Sequence, residues 1–483
     1  MSYPISRFRV FSATGLLLCG LCLLSNTESV SAVDSEIVVP ELTDAQKTAI
    51  EGIREGSVLS TVAFLASDEM AGRATPSREL TIASAYVAAR FRGAGLTSIQ
   101  DNGSFYQTHQ IEMEGPGRPL PKVSVNNTPD DRLRILWGRP EELEIAGSLT
   151  TKVADSGAVQ VIVIEDIMLA PQMLSSPARV MSVWSRRIRP FTEAGASLVI
   201  IRSADDSPLW QIADQMRSDP VNLPEQYHPA VPVLIAPLDF PVEGNLTAKV
   251  PANTRTTAPV HNVIGVLSGS DPELRQEAVI ISAHLDHIGT LNEGQDRINN
   301  GADDNATGVT AVLTMADAFS SLPEPPKRTV IFMTFWGEEQ GLRGSKYFVE
   351  HPLWPLEKIV ANINIEMIGR PEENAEGKAW GTGWEHSNLG EQMAAGAARV
   401  GMTVFHHRQF SEMLYSRSDN ASFVRVGVVA HSFSAGSLHN DYHQPTDEVD
   451  KLNLSHMTRV IQGLFAGTMP IADGILTPTA SEK

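Results

Sequence analysis

Residues 331–345, IFMTFWGEEQGLRGS, begin as an apolar run and end on two adjacent carboxylates, Glu338 and Glu339. Similar junctions recur along the second half of the chain. IISAHLDH ends with His284, Asp286 and His287. INNGADDNATG carries Asp303 and Asp304 just before a helical pattern, and NINIEMIG reaches Glu366. LHNDYHQPTDE adds His439, Tyr442 and His443. Each piece alone also fits an ordinary role. A Glu pair suits a solvated turn, and Asp-Asp-Asn suits a helix N-cap. Together they place imidazole and carboxylate groups at successive strand ends, where open α/β sheets bind ligands. That donor set suits zinc or another borderline metal.

The elements that must hold these residues can be read from the same chain. From His261 onward, apolar runs such as NVIGVLSG, AVIISAHLDH, RTVIFMTFWGEE and IVANINIEMIG alternate with helical patterns over 307–320, 341–350 and 453–469. This alternation predicts an α/β fold around a mostly parallel mixed sheet, with helices on both faces. Earlier helices are expected over 42–60 and 78–94. Between 131 and 251 the texture changes to short β-rich runs, AVQVIVIED, ASLVIIRS and AVPVLIAP, with one short helix in RRIRPFTEAGA. This stretch predicts an inserted β-rich domain that splits the main one into 33–130 and 252–475. Residues 476–483 are expected to form a flexible tail.

The composition narrows the class. The chain has 483 residues, 42% hydrophobic and 20% charged, with a formal net charge of −19. These values fit a globular protein and argue against a general nucleic-acid binder. Arg7 and Arg9, the apolar run 10–24 and Val30-Ser31-Ala32 read as an export signal over 1–32. The protein is therefore expected to be periplasmic or secreted, with no stable membrane insertion after cleavage; an uncleaved anchor is the competing reading. Both cysteines, Cys19 and Cys22, lie inside that signal. The expected mature chain then has no thiolate, and any metal must use His, Asp and Glu.

SAHLDH, NNGADDNATG, FWGEEQGLRGS, NINIEMIG and DYHQPTDE resemble, in order and spacing, the M28 family of zinc peptidases. That family includes leucine-aminopeptidase-like and glutamate-carboxypeptidase-like enzymes. LASDEMAGR and AARFRGAGL resemble its N-terminal segment, and the insertion more loosely resembles a protease-associated domain. The resemblance implies two zinc ions per chain. His284 and His443 would each bind one ion, and Asp303 would bridge them. Glu339 and Glu366 would complete the two sites, with Asp286 orienting the His284 ring. Glu338 would be the general base acting on a zinc-bound water. Tyr442 would polarise the scissile carbonyl. His439 is a lesser candidate ligand, and His287 is expected to be structural or solvated. Two departures stand out. Glu366 replaces the Asp usual in the family, and Asn420 stands where a His is common.

The implied activity is exopeptidase hydrolysis of peptide substrates, first as an aminopeptidase. A carboxypeptidase would need cations such as Arg370 or Arg417 to grip a terminal carboxylate. A single-zinc glutaminyl-cyclase-like enzyme and a non-catalytic receptor are the remaining readings. Retention of every ligand type and of Glu338 argues against the receptor. Side-chain preference and oligomeric state are not legible in the sequence.

Overall fold

The structure is a computed structural model that describes residues 37–117, 119–152, 159–169, 177–218, 220–223, 227–291 and 294–481. The expected export signal, 1–32, lies outside the described residues. Among the described residues, sixteen strands form two eight-stranded sheets. The first contains β1 (Tyr106–Gly115) and then nothing more until after residue 250. The second is built wholly from the intervening chain: β2 (Lys122–Val125), β3 (Thr128–Asp130), β4 (Arg134–Trp137), β5 (Leu143–Thr150), β6 (Gln160–Glu165), β7 (Ala196–Ser203), β8 (Val233–Pro237) and β9 (Gly244–Val250). The first sheet then resumes with β10 (Thr254–Leu267), β11 (Ala278–His284), β12 (Thr329–Phe335), β13 (Ile359–Ile365), β14 (Lys378–Gly381), β15 (Thr403–His406) and β16 (Ala430–Ser434). Its order is β1-β10-β12-β11-β13-β16-β14-β15.

Strands β12, β11, β13 and β16 are mutually parallel neighbours at the centre of this sheet. Every residue of β11, β12 and β16 is buried. Continuous burial of this kind marks parallel strands covered on both faces. One cover is the helix Gly308–Ser320, nearly all of whose residues are buried. Parallel strands end on the same edge of a sheet. His284, Phe335 and Ile365 are the last residues of their strands, so the chemistry-bearing residues that follow them emerge on one rim.

Local signals set several helix boundaries. Thr43 and Gln46 form a reciprocal capping box before Asp44–Gly52. Ser77 caps Arg78–Gly93, and Asn453 caps Leu454–Ala472. The single helix expected over 42–60 is two helices, Asp44–Gly52 and Glu55–Leu65, broken at Ile53, whose backbone is extended.

The inserted unit differs from the expectation in two ways. Its sheet starts at Lys122, upstream of the expected boundary at 131. It is β-rich as expected, but β5, β6, β7 and β8 pair in parallel, and two helices, Pro177–Glu193 and Pro208–Ser218, cover one face where one short helix was expected. Trp184, Ile188, Ile212 and Met216 pack there against Val199 and Ile201 in a core of the unit's own. The long antiparallel pair β1/β10 carries the chain out to this unit and back. The described part of the expected tail, 476–481, also departs from expectation. Arg328 donates to the Leu476 carbonyl and the Thr477 hydroxyl, each at 2.8 Å. The Thr479 N–H donates to Asn388 Oδ1 at 2.8 Å. Residues 476–481 are thereby tied to the fold.

Candidate metal centre

Two groups of potential ligands meet at the rim. His284, Asp304 and Glu366 form one; His287, Asp304, Glu339 and His443 form the other. Asp304 belongs to both. Its Oδ1 lies 3.2 Å from His284 Nε2, and its Oδ2 lies 3.2 Å from His443 Nε2 and 3.8 Å from His287 Nδ1. Glu366 Oε2 is 3.3 Å from His284 Nε2. Glu339 approaches His287 Nδ1 at 2.8 Å through Oε1 and His443 Nε2 at 3.1 Å through Oε2.

The structure thus corrects the expected bridging residue. Asp303 lies in neither group. Its Oδ1 accepts from the Gly369 N–H at 2.7 Å, and its Oδ2 lies 3.2 Å from His439 Nε2. Asp303 and His439 brace the loops behind the centre. The reason is local: the backbone turns irregularly at Asp304 (φ −104°, ψ 94°) and Asn305, so adjacent carboxylates point to different sides. His287 corrects the expectation in the other direction, since it is fully buried with its ring edge toward His443. The strand has already ended at His284, so strand alternation no longer decides where residue 287 points. Its signal in the sequence was the third charged-group position in H-x-D-H.

Asp286 holds His284, but chiefly through its backbone. His284 Nδ1 lies 3.0 Å from the Asp286 carbonyl and 3.8 Å from its carboxylate. The Asp286 carboxylate instead accepts from the Glu338 N–H at 3.1 Å and from the Thr75 hydroxyl at 3.0 Å. Glu366 is fixed by Asn364 and Asn305, whose amides donate to it at 2.9 and 2.8 Å, and by the Ser418 hydroxyl. The longer side chain therefore has a defined seat at the expected place. Asn420 is buried behind the wall of the cleft. It accepts from Ser432 and donates to the Tyr415 carbonyl.

The carboxylates are not electrostatically alike. Burial works against ionisation of Asp304, but the imidazoles of His284 and His443 outweigh it and hold that carboxyl well below the usual range. Burial and the neighbouring Asp304 also oppose ionisation of Glu339. His287 and His443 overcome both and bring it to about 2. Glu338 goes the other way. Burial pushes it well above the ordinary glutamate value, His284 opposes the rise, and Glu339, Asp419 and Glu366 add to it. Adjacent acids driven apart in this way suit different roles, one as an anionic ligand and one as a proton carrier.

A metal fits these residues. His287 Nδ1 and Nε2, Glu339 Oε1 and His443 Nε2 are buried without a hydrogen-bond partner, although buried polar atoms are ordinarily paired. Nitrogen and oxygen donors without thiolate match zinc. The two groups also differ in kind. Four residues could hold an ion in the second and three in the first, and a zinc ion held by three protein residues would keep a position for water or substrate. A cleft opens on that first group, lined by Glu338, Met367, Trp380, Leu414, Arg417 and Tyr442 among others.

Sequence reading named no role for two groups that build the centre. Asp447 accepts the N–H groups of Asp303 and Asp304 at 3.1 Å each. Arg73 is buried and donates to the carbonyls of Leu285, Asn300 and Gly301 at 2.8–3.1 Å, and to that of Leu65. Both lay inside the motifs LASDEMAGR and DYHQPTDE, but a role through backbone carbonyls and amides leaves no pattern of residue types.

The rim of a parallel sheet, a shared Asp and flanking imidazoles form a candidate metal centre. Residues 262–467 match Peptidase family M28. That match covers less than half of the chain. Aminopeptidase YwaD of Bacillus subtilis is 26% identical over 214 residues, 43% of this chain and 43% of its own length. The chain thus spans less than half of that relative. An aminopeptidase from Aneurinibacillus sp. strain AM-1 shares the fold, with a TM-score of 0.53, 18% identity, and 90% of this chain and 97% of that one covered. A zinc aminopeptidase from Bacillus subtilis superposes with a TM-score of 0.52 at 17% identity, covering 86% and 94%.

Proposed function

We propose that the protein is an exported aminopeptidase that uses two zinc ions to remove N-terminal residues from peptides. The observation that carries this reading is the Asp304 carboxylate, which reaches both ligand groups while Glu338 stands beside the open one. His284, Asp304 and Glu366 would hold one ion; Asp304, Glu339, His443 and His287 would hold the other. Zinc bound there supplies Lewis acidity, polarising the scissile carbonyl and making water a nucleophile near neutral pH.

The chain's own residues do the rest. Glu338, carried by an N–H anchored on Asp286, takes the proton of the attacking water and delivers it to the leaving amine. Tyr442 stacks on His443 with ring centroids 3.9 Å apart. Burial raises its pKa, followed by the nearby carboxylates, so the phenol stays protonated and can donate to the carbonyl oxygen. Asp304, Glu338 and Glu366 give the cleft an acidic end for a free ammonium group. Met367, Trp380, Leu414 and Leu438 offer an apolar wall to the terminal side chain. Of the two arginines considered for carboxylate binding, Arg370 is paired with Asp441 at 2.7 Å. Arg417 lines the cleft.

Export rests on the 1–32 pattern, and the inserted unit is read as protease-associated-like. Among the described residues no helix is long and apolar enough to cross a membrane. The test uses zinc-loaded protein and one peptide in three forms: free at both ends, N-acetylated, and C-amidated. Loss of cleavage on acetylation alone is the expected result. Loss on amidation alone would make it a carboxypeptidase gripping through Arg417. Cleavage of no form by protein with zinc bound would reject the peptidase reading for these substrates.

A further inference from the structure

The inserted unit touches the catalytic centre through a continuous line of hydrogen bonds. Asn222 lies in the segment between the helix Pro208–Ser218 and β8 and is 8% exposed. Its side-chain amide donates to Gln340 Oε1 at 2.9 Å. Gln340 directly follows Glu339, and its own amide donates to the Thr75 carbonyl. Thr75 Oγ1 donates to Asp286 Oδ2 at 3.0 Å, and Asp286 Oδ1 accepts the Glu338 N–H at 3.1 Å. The line therefore starts in the inserted unit and ends on the backbone of the proposed base. Its outer end is not free to wander. Val221 pairs with Glu114 of β1 through two backbone hydrogen bonds, of 3.0 and 3.2 Å, which lock residue 222 to the catalytic sheet.

We infer that Asn222 is a positioning residue for the Glu338-Glu339 turn, acting through Gln340, Thr75 and Asp286. The turn depends on outside support because it is irregular: Gly337 and Leu342 both have positive φ, and no strand or helix ladder spans 336–342. Outer partners of a metal site orient the groups that do the chemistry, and their loss lowers activity or metal affinity by about 10–100-fold. Asn222 is four hydrogen bonds removed from the Glu338 N–H, so the low end applies. The inserted unit would then set the rate as well as frame access.

The inference rests on the aminopeptidase reading for its kinetic arm. The experiment compares the full zinc-loaded chain with Asn222→Ala, Gln340→Ala and the double variant. Asn222→Ala is expected to lower kcat about tenfold with KM and zinc content near the wild-type values. The double variant is expected to lose no more than the worse single one, because both interrupt one line. Amide hydrogen exchange over 336–342 is expected to quicken in Asn222→Ala. Unchanged kcat and exchange, a rise in KM alone, or additive losses would each overturn the inference. If the wild-type protein cleaves no peptide, the proposed function falls while the exchange arm still decides the role of Asn222.

Discussion

Asp303 and Asp304 are neighbours in the chain with opposite tasks, one bracing loops and the other facing both ligand groups. Replacing each separates the tasks. Asp304→Asn is expected to hold fewer than two zinc ions after gel filtration, measured by elemental analysis. Asp303→Asn is expected to retain two while losing thermal stability, since it leaves the Gly369 N–H with a weaker acceptor. A similar division applies to Glu338 and Glu339. Glu338→Gln is expected to keep its zinc and lose about 10²–10⁴-fold in kcat, the usual worth of a positioned acid–base group. Steady-state kinetics beside a metal assay checks this, and full activity with zinc bound would contradict the assignment. Residue types at this scale were legible in the sequence: His284, Glu338, Glu339, Glu366 and His443 all stand at the rim. The choice between Asp303 and Asp304, and the inward turn of His287, were not. Both depend on dihedral angles in non-repeating backbone, where neither helix nor strand period says which way a side chain points.

The elements were easier to read than the joints between them. β11, β12 and β13 lie where their apolar runs predicted, because burial on both faces demands such runs. Their relative depth, which brings His284 level with Glu366, comes from pairing register and from groups that clamp the loops. Arg73 is the chief clamp. Burial lowers its pKa to about 10, opposed by Asp286, Asp304 and Asp447; it therefore remains a cation at neutral pH. Its planar fork reaches several carbonyls at once, which a lysine cannot do. Arg73→Lys is thus expected to destabilise the protein by about 3 kcal/mol, as buried carbonyls lose their donors. Zinc affinity should also weaken by about 10-fold or more. Denaturant unfolding and a competition assay with a chelating dye measure the two effects. Gly72 shows how tightly this joint is packed: a Cβ there would stand 2.4 Å from the Asn299 carbonyl oxygen.

Among the described residues, the β1/β10 ribbon leads from one eight-stranded sheet to the other; the change of sequence texture near 131 and 251 predicted an insertion there, and the second sheet's strands run from Lys122 to Val250. The parallel pairing inside the insertion was not foretold, because short apolar runs do not reveal their partners. The fold also carries a pH liability away from the metal centre. Burial lowers His431 to about 4, against a weaker opposing pull from the Thr382 carbonyl; its other nitrogen meets Ser387 at 2.6 Å. Burial likewise brings His456 to about 4. A histidine whose folded pKa lies below its unfolded value of 6.5 binds fewer protons when folded. Its contribution is intact above pH 6.5 and is lost as pH falls toward 4. For His431 the gap amounts to about 3 kcal/mol. Thermal unfolding followed from pH 7 to 4 should therefore show a shallower fall in Tm for His431→Gln than for the wild type. Equal slopes would contradict the assignment.

In the proposed centre Asp304 would stand between two ions. Crystals grown with zinc, with data collected at the zinc absorption edge, test it most directly. Two anomalous peaks about 3.5–4 Å apart are expected. One should lie against His284, Asp304 and Glu366, and the other against Asp304, Glu339, His443 and His287. A single peak, or a pair bridged by Asp303, would contradict the account.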